Sequence, residues 1–137
     1  MNVQRLIQIF LGLSALAFIA IGVNALLDPV AAMEGLELLP QTVTATNEIR
    51  ANYGGMQVAF GLTMLAATVK APLQVFALGL NLVITAGLVS GRVISLVVDG
   101  MPNDMALVLI AVEGVSAVIA GLLLYWLNKA PVNNSGH

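Results

Sequence analysis

Cysteine is missing from this chain altogether, and histidine occurs once, at His137. Without cysteine there are no disulfides, no thiolate chemistry and no Cys-ligated metal. One histidine at the last position does not supply a His-based metal set or proton shuttle within a chain. Charge is equally scarce. Only 9% of the 137 residues are Asp, Glu, Lys or Arg, and the formal net charge is −2. A soluble domain carries about 25% charged residues, so this chain has too little polar surface to coat a water-facing globule. No basic patch exists, which argues against a nucleic-acid partner. Phosphate-binding glycine loops, dinucleotide fingerprints, zinc-protease motifs and a Ser/His/Asp set are absent too.

What is present is apolar. Hydrophobic residues make up 59% of the chain, and mean hydropathy is +0.97. Lipid is therefore expected to be the main solvent. A spanning helix takes about 20 apolar residues, and four stretches qualify. The first runs from about 4 to 27, retained as a membrane helix because its apolar run exceeds a signal-peptide core. It stops at Asp28-Pro29, where proline breaks it. An outer loop covers 28–46, and within it Pro29 to Glu34 has the composition of a short interfacial helix. The second span covers 47–69, with Thr46 or Asn47 as its cap. A turn at Lys70-Ala71-Pro72 leads to the third span, 72–98. A run dense in turn residues, Asp99 to Asp104, leads to the fourth, 104–128. The remaining residues form a short polar tail. No linker divides the chain, so the reading is one all-α domain, an integral membrane four-helix bundle.

Charge sets the expected orientation. With a cytoplasmic N-terminus, Arg5, Lys70 and Lys129 lie at the inner ends, and Asp28, Glu34, Glu37, Glu48, Asp99 and Asp104 lie outside with Arg50 and Arg92. Lys and Arg then count three inside against two outside, which places both termini in the cytoplasm. Tyr125 and Trp126 suit an aromatic anchor at the inner interface.

Ionisable groups inside a span are costly and usually face the bundle. Helical spacing puts Arg50, Gly54, Gln57, Gly61 and Thr68 on one stripe of the second span. Gln74, Asn81, Thr85, Arg92 and Asp99 share a face of the third. Glu113 shares a face of the fourth with Ala106, Ala117 and Ala120. Helix rise puts Arg92 roughly 10 Å, and Gln57 and Glu113 roughly 13 Å, from the outer ends. Glu113 is thus expected to pair with Arg92, with Arg50 as the alternative partner. That pair is either a lock between two helices or part of a ligand or proton site. Arg50, Tyr53, Gln57, Arg92 and Glu113 are the candidate binding residues. Tyr53 has an interfacial reading as well. Gly54, Gly55 and Gly61 read as packing glycines, and Gly87 with Gly91 forms a small-xxx-small association motif read as intramolecular. No residue is assigned as a metal ligand.

The segment Glu48-Ile49-Arg50-Ala51-Asn52-Tyr53-Gly54-Gly55-Met56-Gln57, followed by Phe60-Gly61-Leu62, resembles the signature of a bacterial family of small four-helix membrane proteins. That family is catalogued only as a domain of unknown function, with an Arg-Ala-x-Tyr-Gly-Gly core opening its second span. The resemblance extends over most of the chain. Its architecture, though not its core, is remotely similar to the DoxX-like membrane proteins. It implies a fold and a bacterial inner-membrane location, and no reaction. The leading expectation for function is a non-enzymatic accessory or structural subunit of a larger inner-membrane complex, for example one of electron transfer or photosynthesis, or a homo-oligomer. The alternative is a binder or carrier of a lipid or quinone-like molecule in an outward-facing polar pocket. An enzyme using Glu113 as acid or base beside Tyr53 is the third reading, and it assigns no cofactor.

Overall fold

A computed structural model describes residues 2–129. Asn2 caps the first helix, α1 (Val3–Leu27), by accepting from the Gln4 N–H. The helix ends where sequence required it to. Asp28 closes it with its own N–H on the Asn24 carbonyl, and Pro29 follows. The Asp28 carboxylate then caps the short helix α2 (Pro29–Glu34) by accepting from Ala31 N–H at 3.1 Å. Proline sits at the first position of α2, where its missing N–H costs nothing. Met33 and Ala25 bury together with Ile49, so α2 folds back onto the end of α1.

The next helical stretch starts earlier than residue 46. Thr42, not Thr46 or Asn47, is the cap, accepting from Ala45 N–H at 3.1 Å. Helix α3 (Val43–Ile49) passes into a π-helical segment, Arg50–Gly55, and then into α4 (Met56–Val69). The residues at both junctions keep right-handed helical dihedrals, so the backbone is helical throughout. A single 3₁₀ turn, Ala71–Leu73, carries Pro72 and leads into α5 (Gln74–Val98). Gly100 turns the chain with φ +98°, a value open to glycine and rare for other residues. Helix α6 (Asp104–Lys129) is capped by Asn103, whose Oδ1 accepts from Ala106 N–H at 3.0 Å.

All the regular structure among the described residues is helical. Three stretches are long and apolar enough to cross a membrane, namely Val3–Leu27, Ala71–Val98 and Asp104–Lys129. The tail expected beyond residue 129, with His137, lies outside the described residues.

The helices pack as two tight pairs, α1 with α4 and α5 with α6, and the pairs meet chiefly through α4 and α5. Glycine brings the first pair together. A Cβ on Gly61 would lie 2.6 Å from Ile19 Cγ1 and 2.9 Å from the Ala15 carbonyl. One on Gly22 would lie 2.8 Å from the Gly54 carbonyl, and one on Gly54 would strike Leu26. Such backbone approach is what small residues supply in lipid, where dispersion rather than water release holds helices together. Phe18 of α1 meets Phe60 of α4 edge to face, with ring centroids 6.3 Å apart. Ile7, Leu11, Met64, Leu78 and Leu123 close the core at the other end of the bundle.

Candidate functional site

Polar side chains inside the bundle fall into three groups. Nearest the N-terminus of α1, Gln4 donates through Nε2 to Gln74 Oε1 at 3.0 Å, and Gln74 donates to the Ala67 carbonyl. Gln74 is buried, so this chain of amides ties α1, α4 and α5 with its polar atoms satisfied. Midway, Asn81 and Thr85 of α5 are buried. Ser116 of α6 donates to Asn81 Oδ1 at 3.0 Å, and Thr85 donates to the Asn81 carbonyl at 2.8 Å. Asn81 Nδ2 faces the Met64 sulfur at 3.7 Å.

The third group is the ion pair. Arg92 Nε donates to Glu113 Oε2 at 2.8 Å, and Arg92 Nη2 donates to Glu113 Oε1 at 3.0 Å. Side-chain exposure is 26% for Arg92 and 12% for Glu113. The planar fork of guanidinium on carboxylate is the geometry that best offsets removing both charges from water.

A cleft of about 270 Å³ opens beside this pair, between α1 on one side and α5 with α6 on the other. Leu13, Ala17, Phe18 and Ile21 of α1 form one wall, and Leu88, Leu109 and Val112 form the opposite one. Ser14, Gln57, Thr85, Glu113 and Ser116 bring polar groups to it. Gln57 lines the cleft, and its Oε1 is buried without a hydrogen-bond partner. A buried acceptor left unpaired costs about 1–3 kcal/mol, and that makes it the least settled polar group of the bundle.

The five candidate residues divide. Gln57, Arg92 and Glu113 meet at or beside the cleft. Arg50 and Tyr53 do not. Arg50 is exposed and donates through Nε to the Leu26 carbonyl at 3.1 Å, at the far end of α1. Tyr53 lines a separate hollow of about 240 Å³ under the 28–46 loop, with Leu38, Leu39, Pro40 and Ile49. Arg50 and Gly54 both meet Leu26 of α1, so Arg50 keeps the α1-facing side that counting gives it. It stays out of the cleft because it lies roughly 10 Å from Gln57 along the helix.

The glycines divide as well. Gly54 and Gly61 pack against α1, as described. Gly55 is exposed, and a Cβ there would touch only the Arg50 carbonyl at 3.9 Å. Gly87 and Gly91 are exposed, with nothing within 4 Å of an added Cβ, so their motif packs against no other helix among the described residues.

Sequence reasoning passed over Ser14, Ser116 and Asn103. Ser116 is unremarkable on an apolar helix until α6 is laid against α5, and Ser14 until α1 is laid along the cleft. Asn103 sat in a run of turn residues, yet besides capping α6 it donates through Nδ2 to the Gly35 carbonyl at 3.1 Å. That bond pins the 28–46 loop to the start of α6.

Residues 6–127 match the family model described as Domain of unknown function (DUF4345). The chain belongs to the DUF4345 family. Comparison with curated proteins and with solved structures found no match. Membership in DUF4345 carries no reaction or ligand with it, so function rests on the cleft and its residues.

Proposed function

We propose that this DUF4345 protein is a non-enzymatic integral membrane protein of the bacterial inner membrane that holds one apolar-bodied amphiphile in the cleft between its helix pairs. On this reading it crosses the bilayer four times. Its continuous helical stretch from residue 43 to 69 is the second crossing, and both termini lie in the cytoplasm. The single observation that carries the proposal is the unpartnered Gln57 Oε1 in a cleft lined mostly by apolar side chains. Binding sites of this kind combine a mostly apolar lining with a few convergent polar groups. The Arg92–Glu113 pair has a structural part in it, fixing α5 against α6 so that the wall keeps its shape.

Thermal unfolding of purified, delipidated protein tests the reading. Added membrane lipid extract raises the transition of the native chain by occupying the folded state alone. Ala17→Phe puts a ring into the cleft, and its transition rises less. An equal rise in both proteins would show that lipid acts only around the bundle and would reject the site.

A second reading has its own observation. Helix α6 is the least buried of the membrane-length helices, and Gly87, Gly91 and Gly114 leave open space along the α5–α6 surface. Small residues facing outward suit another helix. This supports an accessory subunit of a larger membrane complex, or a homo-oligomer, and it is compatible with a lipid in the cleft.

A further inference from the structure

The two ends of the cleft differ in chemistry. Ser14, Thr85 and Ser116 mark one end, and Ile21 and Leu109 mark the other. Helix rise separates Ser14 from Ile21, and Ser116 from Leu109, by about 10 Å. The polar end lies deep in the bundle, since Thr85 and Ser116 both spend their protons on Asn81, which is fully buried. With those protons spent, the Thr85 and Ser116 oxygens are left as acceptors. Gln57 adds an amide whose Oε1 is buried without a donor and whose N–H groups can donate in turn. The cleft therefore offers acceptors and one amide that both accepts and donates.

Charge narrows the choice. Glu113 is engaged at both oxygens by Arg92, so the cleft presents no unpaired charge. An ammonium head would place a second cation beside Arg92, and a phosphate or carboxylate head would compete with Glu113 for it. Volume narrows it again. About 270 Å³ is at the small end of ligand pockets, which run about 300–1,000 Å³, and it suits one alkyl chain better than two.

Resting on the amphiphile-binding reading above, we propose that the occupant is a single-chain amphiphile with an uncharged hydroxyl head. Its hydroxyl sits on the Gln57 amide, and its chain lies along the apolar side chains of α1 and α6. A small turn of the Gln57 amide about its soft terminal torsion brings Oε1 to the hydroxyl. A head that accepts without donating leaves Gln57 Oε1 unsatisfied.

The test uses the full chain in nanodiscs with a dodecan-1-ol bearing a diazirine on its chain. After photolysis, adducts are mapped to peptides. Labelling is expected in the α1 and α6 stretches around Ala17 and Val112. Dodecan-1-ol competes about tenfold better than its methyl ether, the difference one buried neutral hydrogen bond makes. Gln57→Leu, nearly the same size and without the acceptor, shrinks that preference while helicity stays unchanged. Equal competition by alcohol and ether in the native chain overturns the hydroxyl assignment. Labelling of the cleft by a diazirine phospholipid but not by the alcohol overturns the single-chain assignment and leaves the binding reading standing. A cleft labelled by neither probe overturns both.

Discussion

Gly61 and Gly87 are both glycines on long apolar helices, and they do opposite things. Gly61 lets α4 touch the α1 backbone, whereas Gly87 faces outward. Gly61→Ala is expected to cost about 1–3 kcal/mol, because Ile19 and the Ala15 carbonyl must move to admit a methyl. Gly87→Ala is expected to stay within about 0.5 kcal/mol of the native chain. Reversible unfolding in mixed micelles measures both, and equal costs would contradict the assignment of Gly61 alone to the helix contact. The ion pair yields a second expectation at this scale. Glu113→Leu leaves Arg92 part-buried and unpaired, at a cost of roughly 3 kcal/mol. Combining it with Arg92→Leu recovers most of that loss, since the cost lies in the orphaned charge. Stability of the double variant no better than the single one would mean that the pair is worth more than its desolvation. The Glu113–Arg92 pairing was legible from spacing and depth alone, because few charges compete for partners in an apolar chain. Spacing put Arg50 on the α1-facing side but could not show that the Leu26 carbonyl takes up its guanidinium.

At the scale of elements, proline and cap residues set most boundaries, and most were readable. Asp28-Pro29 ends α1 and starts α2 through two distinct bonds of one aspartate. Thr42 was missed because the cap was sought beside the apolar run, whereas the helix begins a turn earlier in polar sequence. Asn103 joins two elements through the two ends of one amide. Its oxygen caps α6 and its nitrogen holds Gly35. Asn103→Asp keeps the capping oxygen and removes the donor, while Asn103→Ala removes both. Hydrogen exchange in the 30–40 loop is expected to speed up in both variants. Only Asn103→Ala is expected to loosen the first turn of α6, at about 1 kcal/mol. Protection in the loop unchanged by either substitution would show that the Gly35 bond does not hold it.

For the whole molecule, the expected four rods and their up-and-down order follow from hydropathy and turn residues, but how the rods pair does not. Periodicity marks the inward face of each helix without saying which neighbour it meets. The glycine contacts decide that α1 lies on α4, and a cleft is left where the two pairs diverge. Orientation is a property of the molecule as well, and its charge asymmetry is slight. The chain has no cysteine of its own, so single cysteines report cleanly. In intact cells an impermeant maleimide is expected to label Glu34→Cys and to spare Lys70→Cys. The reverse pattern would invert the topology.

The central claim is that the cleft between the helix pairs holds a molecule. Native mass spectrometry of the chain released from gentle detergent addresses it most directly, with Ala17→Phe and Val118→Phe beside it. Ala17 lines the cleft, and Val118 faces outward on α6. The account predicts one retained adduct per chain in the native protein and in Val118→Phe, and its loss in Ala17→Phe. An adduct that survives Ala17→Phe, or a native chain that carries none, would contradict it.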